Sequence, residues 1–79
     1  MKLTLEQLKF LKTIYEIQKK NELNVALTRE IVSYVRQQKN ITDGAVRKMI
    51  HVLYKKGYIT SPLHGAWRVT KKGEKVLLQ

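Results

Sequence analysis

The sequence predicts an α+β fold: a three-helix core, then a short β-hairpin and a short C-terminal helix. Three observations lead there. Apolar residues recur at three- and four-residue steps through the first two thirds of the chain, as in helices packed on one side. After Gly57 the pattern changes to two short β-prone runs around the turn residues Pro62-Leu63-His64-Gly65. With 79 residues, folding buries only about 60 to 65 % of the surface that the unfolded chain exposes, so one domain spanning residues 1–79 with one core is expected.

The first helix starts after Thr4, where Thr4-Leu5-Glu6-Gln7 has the form of a capping box. Leu8, Leu11, Ile14 and Tyr15 make one stripe, and Phe10, Ile14 and Ile17 broaden it beyond the needs of a single core. The helix fades near Lys20 and Asn21. Asn24-Val25-Ala26-Leu27 is too short to stand alone as a strand, but fits as a third strand on the edge of the hairpin. Thr28-Arg29-Glu30-Ile31 begins a second helix with Ile31, Val32 and Val35 as its buried face, and the polar stretch Arg36 to Asn40 ends it.

The third helix, about 42–56, is capped by Thr42 or Asp43 and closed by Gly57, which supplies the left-handed residue. Ala45, Val46, Met49, Ile50 and Leu53 form its apolar side. Arg47, Lys48, His51 and Lys55 fall opposite, with no carboxylate among them. The hairpin, about 58–69, runs from Tyr58 to Ser61 and back from Ala66 to Val69, with a polar tip between. Thr70 caps a last helix whose apolar residues are Val76, Leu77 and Leu78, and Gly73 weakens its first turn.

Charge narrows the function. Sixteen Lys and Arg against six Asp and Glu give +10, and so much charge on so small a body points to a polyanionic partner, nucleic acid or an anionic membrane. The first helix has Lys9, Lys12, Lys19 and Lys20 for a membrane surface, but Glu6 and Glu16 intervene and the hairpin goes unexplained, so no membrane partner is expected. No apolar run reaches the roughly 20 residues that span a bilayer. Met1-Lys2-Leu3-Thr4 lacks a signal-peptide core, so a cytoplasmic, intracellular location is expected.

Catalysis and metal binding find no support. There is no cysteine, and two histidines are too few for a metal cage. The six carboxylates are scattered, Ser33 has no nearby His in sequence, and no Gly-rich phosphate loop appears. Neither enzymatic activity nor a cofactor is expected.

The order of elements, the Ala45 to Leu53 helix, its closure by Lys56-Gly57-Tyr58-Ile59, and the stretch Trp67-Arg68-Val69-Thr70-Lys71-Lys72-Gly73 together resemble the winged helix-turn-helix domain of small transcriptional regulators. The last stretch looks like the strand followed by Thr-x-x-Gly common in that family. The resemblance covers nearly the whole chain. It implies sequence-specific duplex DNA binding, with the third helix in the major groove, the second supporting it across the backbone, and the hairpin as a wing on a neighbouring groove or phosphate strand.

On that reading the DNA-binding candidates are Thr42, Gly44, Arg47, Lys48, His51, Lys55, His64, Arg68, Lys71 and Lys72. Arg47 has the planar fork that suits guanine O6 and N7, and Lys48 and Lys55 suit phosphates. Gly44 lets the backbone approach DNA. His51 either donates to a base or phosphate or sits at the edge of the helix face. His64 and Arg68 lie in the hairpin, and Lys71 and Lys72 open the last helix, where backbone N–H groups favour an anion. Trp67 alternates with Arg68 on a strand, so one side chain points inward. Packing is favoured for Trp67 over base stacking.

The winged-helix subfamily that binds left-handed nucleic acid shares a Lys-Lys-Gly helix end and a tryptophan in the wing. It sets an Asn and, one turn later, a Tyr where Arg47 and His51 stand here, and that reading is set aside. Two alternatives to sequence-specific regulation remain: a winged helix that docks a partner protein, and sequence-blind architectural binding. The broad apolar surface of the first helix, with Val76-Leu77-Leu78, leads to the expectation of a homodimer.

Overall fold

The computed structural model describes residues 3–78. Met1 and Lys2, on which the signal-peptide expectation partly rests, lie outside the described residues, as does Gln79. The elements are α1 (Leu5–Lys20), β1 (Ala26–Leu27), α2 (Thr28–Gln38), α3 (Asp43–Lys55), β2 (Ile59–Leu63), β3 (Ala66–Val69) and α4 (Lys71–Leu77). Four helices surround a three-stranded antiparallel sheet in the order β1-β3-β2. No helix among the described residues is long and apolar enough to cross a membrane.

Local chemistry sets the helix ends. Thr4 Oγ1 accepts from Gln7 N at 3.1 Å while Gln7 Oε1 accepts from Thr4 N at 3.1 Å, so two otherwise unpaired amides of α1 are satisfied. Thr42 Oγ1 accepts from Ala45 N, and Thr70 Oγ1 accepts from Gly73 N. At α2 the same task falls to Glu30, whose Oε1 accepts from Leu27 N at 3.1 Å. Gly57 closes α3 at φ 83°, a conformation that a Cβ disfavours.

The core gathers Phe10, Leu11 and Ile14 of α1, Ile31 and Val35 of α2, Val46, Ile50 and Leu53 of α3, and Ala26, Tyr58, Ile59 and Val69 of the sheet and its approach. Much of the breadth of α1 is thereby taken up within the chain. Tyr15 and Ile17 pack on the rim of the core, leaving Leu5 and Leu78 as the exposed leucines of α1 and the C-terminal segment, at 68 % and 77 %. Ala45 departs from the expected apolar face and is exposed, because the buried stripe of α3 runs through Val46, Ile50 and Leu53.

β1 pairs with β3 through Ala26 opposite Trp67 and Leu27 opposite Ala66. It begins only at Ala26 because Asn24 takes φ 59° and turns the chain just before it. Gln18, buried on α1, extends this edge: its Oε1 accepts from Val69 N at 2.7 Å, and its Nε2 reaches Asn24 Oδ1 at 3.4 Å. A buried backbone donor beyond the end of β1 thus finds a side-chain partner.

The hairpin is longer than its turn residues suggest. β2 continues through Pro62 to Leu63, and the turn contracts to His64-Gly65 with Gly65 at φ 78°. Thr60 pairs with Arg68 and Leu63 with Ala66, so β2 holds one residue more than β3 between these pairs. That bulge absorbs Pro62, whose missing N–H is tolerated on an edge strand.

Gly73, far from merely weakening α4, lets it dock. A Cβ at this position would collide with the Tyr58 carbonyl oxygen and lie 2.7 Å from Val69 Cγ1. The Tyr58 carbonyl also accepts from Thr70 N at 3.0 Å, so the start of α4 is fixed against the segment that leads out of α3.

Candidate nucleic-acid interface

α3 buries one side and exposes Arg47, Lys48, His51 and Lys55 on the other. Arg47 and His51 are one turn apart, Lys48 and Lys55 two turns apart, so they form two adjacent rows along the helix. Thr42 and Gly44 at its start are exposed too. Thr42 uses its hydroxyl as the cap. A Cβ at Gly44 would meet nothing within 4 Å, so the fold itself does not demand glycine there.

The exposed face of α3 is not free of carboxylates. Asp43, one turn before Arg47, takes the Arg47 Nε–H on Oδ1 at 3.2 Å. This corrects the carboxylate-free face expected from spacing, which counted only residues from Arg47 onward.

A groove runs between α2 and α3, with an open volume of about 520 Å³, lined by Arg29, Val32, Ser33, Arg36, Asp43 and Arg47 together with Gln37. Arg29, Ser33 and Arg36 follow at steps of four and three residues, which places them on one face of α2 away from buried Ile31 and Val35. Three guanidinium groups therefore share one concavity with a single carboxylate. The α2 residues are absent from the sequence-derived candidates. Their spacing was visible, but it becomes a site only with Arg47 opposite.

On the other side of Arg47 lies a smaller crevice lined by Thr28, Arg47, Ile50, His51 and Trp67. Trp67 is half-buried and packs against the core. Its Nε1–H donates to Thr28 Oγ1 at 2.8 Å, and its ring meets the exposed Tyr54 ring edge-on at 5.5 Å between centroids. Tyr54 in turn lies 6.3 Å from His51. Packing accounts for most of Trp67, while His51 and Trp67 form an aromatic border to the crevice. Arg47 stands between the two concavities.

The hairpin and α4 candidates divide. His64 is exposed at the turn and Lys71 is exposed at the start of α4. Arg68 is engaged within the chain: Nε donates to the Asn24 carbonyl at 3.0 Å and Nη2 to the Leu23 carbonyl at 3.2 Å. It ties β3 to the connection between α1 and β1. Lys72 is also engaged. Its Nζ donates to the Lys56 carbonyl at 2.9 Å and sits 4.7 Å from the centre of the Tyr58 ring, so it caps the C-terminus of α3. Among the described residues no group of three or more His, Cys, Asp or Glu could hold a metal ion.

No protein-family model, no curated protein and no solved structure matches the chain.

Proposed function

We propose that the chain is a winged-helix domain that binds duplex DNA in a sequence-specific manner as a small transcriptional regulator, with α3 in the major groove and α2 along the phosphate backbone. The observation that carries this reading is the groove in which Arg29, Arg36 and Arg47 converge, continuous with the exposed Lys48, His51 and Lys55 of α3. Guanidinium groups suit phosphates and guanine edges because their planar donors match paired acceptors. The four helices and three-stranded antiparallel sheet are compatible with the winged-helix arrangement, in which β2 and β3 form the wing.

In this reading Arg47 reads a base, and Arg29, Arg36, Lys48, Lys55 and Lys71 neutralise phosphates. Thr42, Gly44 and Ser33 line the approach of the backbone to α3. His51 and His64 supply secondary contacts, one beside the base-reading row and the other at the tip of the wing. Arg68 and Lys72 hold the frame.

Fluorescence anisotropy with a labelled random-sequence duplex tests binding itself. The expected result is saturable binding whose logarithmic affinity falls linearly with the logarithm of salt concentration, as counterions are released from the phosphates. An anisotropy that stays flat at micromolar protein in low salt contradicts the reading.

A further inference from the structure

We propose that Asp43 is the positioning residue for Arg47: it orients the guanidinium toward one base and keeps the phosphate backbone from capturing it. This inference rests on the DNA-binding reading above and deepens it. Asp43 Oδ1 accepts from Arg47 Nε at 3.2 Å, and the two side chains are 50 % and 60 % exposed respectively. The bond occupies only the inner edge of the guanidinium. The two terminal nitrogens, the part of the fork that matches guanine O6 and N7, keep their donors for a ligand.

In the first turn Asp43 suits the positive end of the helix dipole, which explains a carboxylate here but not its bond to Arg47 Nε. An exposed ion pair one turn apart adds little to a helix, and Thr42 Oγ1 already caps this one. Toward a polyanion the same carboxylate is unfavourable, because it stands among Arg29, Arg36 and Arg47 in the groove proposed for phosphates. Its gain lies in order. A free arginine has many rotamers and reaches the nearest phosphate, a contact that carries no sequence information. Held by its Nε, the side chain has fewer rotamers to lose on meeting a base.

The test compares the wild type, Asp43→Ala, Asp43→Asn, Arg47→Lys, Arg47→Ala and Asp43→Ala with Arg47→Ala. Each is titrated on the duplex selected by the wild type, on that duplex with the Arg47-dependent base pair changed, and on random duplex, with thermal melts in parallel. Asp43→Ala should lower the preference for the selected base pair by about tenfold. It should also tighten binding to random duplex by roughly two- to fivefold as an anion leaves the interface. Asp43→Asn keeps an acceptor at Oδ1 and should retain part of the preference. In the Arg47→Ala background, removing Asp43 should leave the preference unchanged, which is the signature of two residues acting as one unit.

Arg47→Lys keeps the charge without the fork, so it should lose the preference; if Asp43→Ala melts early, Asp43→Asn carries the test, with a preference expected between those of wild type and Arg47→Ala. Equal gains for Asp43→Ala on all three duplexes would reduce Asp43 to a simple charge and overturn the inference alone, with DNA binding intact. So would a loss of preference equally large in the Arg47→Ala background. A wild type that selects no base through Arg47 overturns the base-reading role itself, and this inference with it.

Discussion

Gly73 lies against the Tyr58 carbonyl so closely that no Cβ fits between them. The contact joins the start of α4 to the chain leaving α3, and Thr70 N donates to the same carbonyl. Gly73→Ala gains helix propensity but must displace backbone. Overpacking of this kind costs about 1 to 3 kcal/mol, more than the roughly 1 kcal/mol that alanine adds in a helix. The melting temperature should therefore fall, and a rise would show that α4 shifts without cost.

Trp67 joins β3 to α2 by the bond to Thr28 Oγ1 and to α3 by the Tyr54 contact. Trp67→Phe keeps a ring and removes the donor, so it should cost about 0.5 to 1.5 kcal/mol. Trp67→Ala also empties part of the core edge, and should cost more. Its half-buried state keeps the loss below the upper end of the 3 to 5 kcal/mol or so expected for a large buried ring. Denaturant melts of both variants measure this. Equal stability in Trp67→Ala and wild type, with DNA affinity lost, would make the ring a DNA contact rather than a packing element.

Self-association has a limited surface. A specific interface takes about 800 Å² from each partner, whereas Leu11 and Ile14 of the α1 stripe are wholly buried and Tyr15 and Ile17 pack on the core. Much of the argument for a homodimer through α1 and the C-terminal segment therefore turns inward, and the chain should sediment near its 9.3 kDa mass at micromolar concentration. A species of twice that mass that disappears in Leu5→Lys would restore the dimer.

The arginines of α2 have a different signature from Arg47. If Arg29 and Arg36 meet phosphates, alanine at either should weaken binding to all duplexes alike and lower the salt slope by about one unit. Titrations at several salt concentrations check this. An unchanged slope would leave α2 outside the interface.

Much of the frame was legible because its signals are local. The pairing of Thr4 with Gln7, the caps at Thr42 and Thr70, and the left-handed Gly57 each depend on residues a few positions apart or on conformations that few residues adopt. Contacts made by residues far apart in the chain were less legible. Arg68 meets carbonyls of Leu23 and Asn24 more than forty positions earlier in the chain, and Gln18 meets Val69 N. Gly73 lowers helix propensity when only its own turn is considered, and its value appears with Tyr58 beside it. Lys72 has the charge of a phosphate contact and is engaged with Lys56 and Tyr58. Net charge raised the expectation of a polyanionic partner without saying which lysines and arginines the fold itself employs.

The most direct test of the central claim is competition after selection of bound sequences from random duplex. The account predicts a recurrent sequence that wild type prefers over random duplex at a fixed salt concentration, with Arg47→Ala losing about 1 to 3 kcal/mol on it and relaxing one base pair, while Lys71→Ala weakens preferred and random duplexes equally. Recovery of no recurrent sequence, together with equal losses on both duplexes for Arg47→Ala, would contradict sequence-specific recognition by α3.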